Sequence, residues 1–186
     1  MGVLLQSQTS YIPVSDNRLN IETMISDILL TQRRTLVIRL ELRLPATLID
    51  LDQTMLMQSF VEMFADLINQ RNGDATLSYK PQYLWYTDVS GASFHILLLL
   101  DYDILEPLWI EAVFLEKLTL TFDIAWEYTL QPSAPDFLDF DYPGICNNLD
   151  YLMLLDNTAP YSAHQYNQLL SSLKDFGFEG LVNEQV

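Results

Sequence analysis

Asp88 and His95 are the residues of this 186-residue chain whose types and spacing most directly suggest chemistry. They flank a short polar loop with Gly91 at its turn, between the apolar runs Tyr83–Tyr86 and Phe94–Leu100. Two apolar runs joined by a short Gly-containing loop predict a β-hairpin. In such a hairpin Asp88 and His95 can lie close across the pair. A carboxylate beside an imidazole suits a divalent metal or acid–base work. A surface-loop aspartate and an ordinary strand histidine form the plainer alternative. Tyr151 is a third chemically interesting side chain. A lone phenol has a pKa of about 10 and needs activation before it can act as a nucleophile, and a core or interface aromatic is the plainer reading.

A second group of residues offers recognition rather than reaction. Asp101, Asp103 and Glu106 follow the hairpin, and Asp136, Asp139 and Asp141 alternate with Phe137, Phe140 and Tyr142 in a Pro-rich acidic stretch. Carboxylates can stand where a partner expects phosphates, and aromatics supply buried anchors.

The elements that must position these residues are readable in outline. Ile21, Met24, Ile25, Ile28 and Leu29 have helical spacing. Leu36, Ile38, Leu40, Leu42 and Leu44 alternate with Val37, Arg39, Glu41 and Arg43, which predicts a strand with one fully apolar face. Arg39 and Glu41 are expected to pair on its exposed side. Asp50 or Asp52 can cap a helix running to about Gln70, with Met55, Leu56, Phe60, Met63, Phe64, Leu67 and Ile68 as its stripe. Pro81 marks the first hairpin arm as an edge or a bulge. From Asp103 to Leu130 the pattern is mixed: Leu108, Ala112 and Leu115 suggest helix, whereas LTLTF suggests strand. NNLDYLMLLD, from Asn147 to Asp156, predicts a short helix carrying Tyr151. Ser162–Phe176 predicts a last helix with Gly177 as its C-cap. His164 has no obvious partner there.

The hairpin is also where a resemblance begins. Tyr83, Trp85 and Asp88, followed by Ser93, Phe94 and His95, resemble the inovirus-type replication proteins of filamentous phages and related prophages, within the HUH superfamily of rolling-circle initiators. Val37, Arg39, Glu41 and Leu42 resemble that family's opening strand, Trp126 the end of a family helix, and Tyr151 with Leu152 the start of its tyrosine helix. The similarity spans roughly residues 20 to 157. It implies tyrosine attack on a DNA phosphodiester, with a divalent metal held by two histidines and a third polar residue to polarise the phosphate. This chain departs from the pattern where that chemistry is done. Asp88 stands where Glu is usual, Ser93 where the first His is usual, and Leu154 where a Lys is usual. A neutral hydroxyl binds a divalent ion weakly, so Asp88 and His95 would make a vestigial site. Tyr151 is then a vestigial nucleophile.

Charge points the same way. There are 25 acidic and 9 basic residues, for a net charge of −16. Residues 1–100 hold 10 acids and 7 bases, and residues 101–186 hold 15 acids and 2 bases, Lys117 and Lys174. Gripping a phosphate backbone needs clustered Lys and Arg. A chain this acidic repels that backbone and attracts the basic surfaces that bind it. Cys146 is the single cysteine, so no intrachain disulfide is expected. MGVLLQSQTS reads as neither a secretory signal nor a sufficient lipidation signal, and the Ile96–Leu100 run is too short to span a bilayer.

These readings predict an α+β fold of the replication-initiator type, with an antiparallel sheet and helices mainly on one face. Residues 1–19 form an arm, 20–160 the domain, and 161–186 a C-terminal helix and tail. The expected role is that of a non-enzymatic, cofactor-free cytoplasmic inhibitor. It would mimic nucleic acid toward a basic host protein or complex, such as a CRISPR effector or restriction enzyme. Its expected partner-binding residues are Asp101, Asp103, Glu106, Asp136, Phe137, Asp139, Phe140, Asp141 and Tyr142. A residual metal-dependent nicking enzyme and an acidic scaffold are the alternatives.

Overall fold

The structure, a computed structural model, describes residues 21–45, 48, 50–73, 79–87, 91–131, 149–159 and 162–175. The elements in order are α1 (Ile21–Thr31), β1 (Arg34–Arg43), α2 (Gln53–Asn72), β2 (Gln82–Thr87), β3 (Ser93–Asp101), the single turn α3 (Tyr102–Leu105), α4 (Phe114–Leu130), β4 (Leu149–Asp156) and α5 (Ser162–Asp175). The four strands form one antiparallel sheet in the order β2-β3-β1-β4. Between β1 and β4 the chain therefore follows a split βαββαβ path, the ferredoxin-like arrangement.

β1 organises the sheet because both of its edges are paired and both of its faces are covered. Leu36, Ile38, Leu40 and Leu42 point to the side occupied by α2 and α4, and all are nearly or fully buried. Leu98, Ile96 and Phe94 of β3, with Tyr83 and Trp85 of β2, extend that face. Phe60 and Phe64 of α2 meet Phe122 of α4 over it, and Trp126 lies edge-on to Phe60 and Phe94. The buried Trp126 indole donates to the Arg43 carbonyl at 3.1 Å, which satisfies a polar group that burial would otherwise penalise.

The opposite face is covered too, which differs from the expectation of helices mainly on one side. Val37, Leu84, Leu97, Leu99 and Leu155 pack there against Ile25 and Ile28 of α1 and Leu169 and Leu173 of α5. The βαββαβ unit itself carries its two long helices on one side. The chain's first and last helices close the other, because β1 and β3 carry apolar side chains of both parities and neither face could stay wet.

Local signals explain most boundaries. Asp52, rather than Asp50, caps α2: its carboxylate accepts from the Thr54 and Met55 amides at 3.0 and 3.1 Å. Gly73 ends the helix with φ of 68°, a left-handed conformation suited to glycine. Met55, expected in the apolar stripe, is exposed, and Met57 is buried instead. β2 begins just after Pro81 and lies at the sheet edge. LTLTF belongs to α4 rather than to a strand. Leu118, Phe122 and Ala125 recur at helical spacing on the buried face. Thr121 and Thr129 turn their hydroxyls back onto the Lys117 and Ala125 carbonyls, at 2.7 and 2.8 Å, which accommodates β-branched residues in a helix.

Asn147–Asp156 is the largest correction. The segment read as a helix forms β4 from Leu149, paired along β1 from Arg34↔Asp156 to Leu40↔Leu149. Leucine and methionine are good helix formers, but propensity is a weak preference that tertiary pairing overrides. Here the open edge of β1 recruits the segment, and its two-residue alternation places Leu155 on a buried face.

Candidate functional site

Strand register builds a polar patch on the sheet face that α1 and α5 cover only in part. His95 lies opposite Tyr86 on β2 and opposite Glu41 on β1. Residues paired this way share a face. The His95 and Tyr86 rings stack, with centroids 4.7 Å apart and planes at 23°. Glu41 Oε1 accepts from Arg43 Nε at 3.2 Å and from Ser93 Oγ at 3.3 Å. Burial would raise the Glu41 carboxyl, but the Arg43 hydrogen bond and charge, the nearby His95 and the Ser93 bond together hold it below its ordinary range. Burial pushes the Tyr86 phenol up, against the opposing pull of Arg39, which hydrogen-bonds to it. Arg39 and Glu41 therefore do not form the isolated exposed pair that their spacing suggests. Arg39 turns toward Tyr86, and Glu41 toward Arg43 and Ser93.

The register brings Glu41 to His95, a neighbour that hairpin reasoning missed. Its only sequence signal was parity: Glu41 has the opposite parity to the buried leucines of β1. Asp88, the expected partner of His95, lies outside the described residues. Tyr151 sits in β4 with Arg39 as its Cα partner, and not on a helix as the resemblance implies. The metal that the resemblance implies does not fit what is described. The patch offers one imidazole and one carboxylate, and that carboxylate already serves the Arg43 cation and the Ser93 hydroxyl. Among the described residues no group of three or more His, Cys, Asp or Glu is placed to hold an ion.

The acidic residues after the hairpin are gathered around arginine. Arg34 Nε donates to Asp103 Oδ1 at 2.6 Å, and Arg34 Nη2 donates to Glu106 Oε2 at 2.5 Å. Arg33 reaches the same Asp103 oxygen at 3.3 Å. The Arg34 guanidinium also lies 4.8 Å from the centroid of the Tyr102 ring, a cation–π arrangement. Glu106 above all, with Asp103, raises the Arg34 pKa against a partial desolvation cost. Asp101 caps α3 by accepting from the Asp103 amide at 3.0 Å, and burial pushes its carboxyl up. The structure thus brings Asp101, Asp103 and Glu106 together, but as an internal network in which Arg33 and Arg34 offset much of their charge. Asp136, Phe137, Asp139, Phe140, Asp141 and Tyr142 lie outside the described residues, as do residues 1–19 and Gly177. His164 is exposed on α5.

A further group of carboxylates among the described residues lies where the sequence did not draw attention, on α2 and α4. α2 carries Glu62 and Asp66, and α4 carries Glu116, Asp123 and Glu127, against the cations Arg71 and Lys117. Arg71 lies 5.4 Å from the centroid of the Trp109 ring, and Lys117 is 3.9 Å from Glu116. The same two helices also expose Met55, Leu115, Leu120 and Tyr128, which are 65, 46, 45 and 52 % exposed. On α4, positions 116, 120, 123 and 127 recur every three to four residues and form one stripe facing away from the core.

No helix among the described residues is long and apolar enough to cross a membrane. Comparison with known protein families, with curated proteins and with solved structures finds no match for this chain.

Proposed function

We propose that this protein is a non-catalytic acidic binding protein that occupies the nucleic-acid surface of a basic partner and so inhibits it. The observation that carries this reading is that α2 and α4 together expose the carboxylates Glu62, Asp66, Glu116 and Glu127 and the apolar side chains Met55, Leu115, Leu120 and Tyr128. Such carboxylates attract a cationic groove at long range and speed encounter. Leu120 and Tyr128 then offer the apolar contact that holds a docked complex together. The Arg34 network argues for moving the described part of the interface from Asp101, Asp103 and Glu106 to these two helices. The sheet-face patch supports the same reading, since its carboxylate is committed to an internal cation.

The test begins with capture of the partner on the full-length protein and continues with kinetics at two salt concentrations. Glu62→Lys, Glu116→Lys and Glu127→Lys together should lower the on-rate about tenfold at low salt, and less at high salt, where screening sets in within about 10 Å. Asp27→Lys with Asp50→Lys, exposed charges elsewhere, should change it less than about twofold by the same argument. Equal effects from both sets would mean that the acidity serves solubility. Salt-sensitive binding of single-stranded DNA would overturn the reading. So would a covalent DNA adduct lost in Tyr151→Phe, and that result would favour the nicking enzyme.

A further inference from the structure

We propose that the outer edge of β4 is a strand-addition site for a cationic, extended segment of the partner, an inference that rests on the basic partner of the preceding reading. β4 is the last strand of the sheet, and among the described residues no strand pairs with its outer side. An edge of this length normally carries a device that blocks pairing, such as a Lys, a Pro or a covering element. LDYLMLLD contains neither Lys nor Pro. Its one irregularity is the register shift opposite Arg39 and Leu40, confined to the first half of the strand.

The second half is open in two senses. Leu152 and Leu154 share the face of Ile38 and Leu36, but α2 and α4 do not extend over them, and they remain 41 and 37 % exposed. The backbone is also available. The Leu154 carbonyl accepts from Gln165 Nε2 of α5 at 3.2 Å, so the polar groups of this residue point away from β1. In an antiparallel ladder such outward groups recur at alternate residues, which makes Leu152 the next site. Gln165 closes one of these positions with a single neutral hydrogen bond, which an incoming strand could replace with main-chain bonds.

Charge selects the occupant. In a second copy of this chain, the antiparallel register that sets Leu152 against Leu154 also brings Asp156 toward an equally acidic chain. Like charges directly opposite are destabilising, and each copy carries a net charge of −16. A segment with Lys or Arg at its two ends and β-branched residues between them meets the leucines, Asp156 and the net negative charge of the chain with complementary chemistry.

The experiment uses the full chain and three synthetic peptides: Lys-Val-Thr-Val-Thr-Val-Lys, the same peptide N-methylated at alternate edge-facing amides, and its Glu-ended counterpart. The first should bind and shift the backbone amide resonances of β4, whereas the other two should bind at least about tenfold more weakly. Leu154→Lys, and separately Leu152→Lys, should cost about tenfold in peptide affinity, with the fold checked by circular dichroism. Gln165→Ala should bind at least as tightly as wild type. Equal binding of the methylated peptide would show attraction by charge only and would overturn the strand site. So would a concentration-dependent dimer that the peptide fails to dissociate. Loss of partner binding in the α2/α4 charge variants, with no effect of the β4 variants, would overturn this proposal while sparing the function proposed above.

Discussion

Arg34 and Asp103 are joined by a 2.6 Å hydrogen bond between the first residue of β1 and the single turn that follows β3. The bond ties together the ends of two neighbouring strands, since Thr35 pairs with Asp101. It also removes a carboxylate from the protein's outward charge. Arg34→Met should therefore do two things. It should cost about 1 kcal/mol, the upper part of the range for a partly exposed ion-pair network, read as a lower urea midpoint with an unchanged slope. It should also release Asp103 and Glu106 and raise the on-rate for a basic partner at low salt. A faster on-rate without loss of stability would mean that the network has no structural role.

Acid should weaken the sheet face through Glu41. Its folded-state carboxyl is held below the ordinary value of 4.5 despite burial, chiefly by Arg43. A depressed carboxylate contributes stability that is present above the ordinary value and lost as pH falls through the lowered one. Urea midpoints measured between pH 7 and pH 3 should fall for the wild type below about pH 4.5, and Glu41→Gln should show a shallower fall over that window. Parallel profiles would show that other carboxylates govern the acid limb.

Gly73 makes a backbone prediction with few competing effects. Its φ is 68°, and a Cβ built there would meet nothing within 4 Å. The cost of Gly73→Ala is then conformational, about 1 kcal/mol, because an L side chain disfavours the left-handed region. Gly73→Asn should cost less, since Asn tolerates that region better. Equal midpoints for all three proteins would show that the α2 terminus relaxes to another conformation.

The contrast between β3 and β4 shows what could be read from the chain before its fold was seen. The hairpin of β2 and β3, the alternation of β1 and the capped α2 were legible because their signals are local. An apolar period, a turn glycine and a capping aspartate act within a few residues of where they stand. β4 was not legible. LDYLMLLD carries helix-favouring residues, and it becomes a strand because β1 leaves an edge to fill. The covering of both sheet faces was likewise visible only as apolar residues of both parities in β1 and β3, with nothing to say which helices would meet them. The same division holds for the candidate surfaces. Composition established the acidity and its concentration in the second half of the chain. Tertiary structure decided which carboxylates are neutralised, by folding Arg33 and Arg34 onto Asp103 and Glu106, and which stay outward, by turning Glu116 and Glu127 away from the core. It also set Glu41 beside His95. Contacts between residues so distant in sequence depend on register and topology, and these are fixed only when the whole sheet assembles.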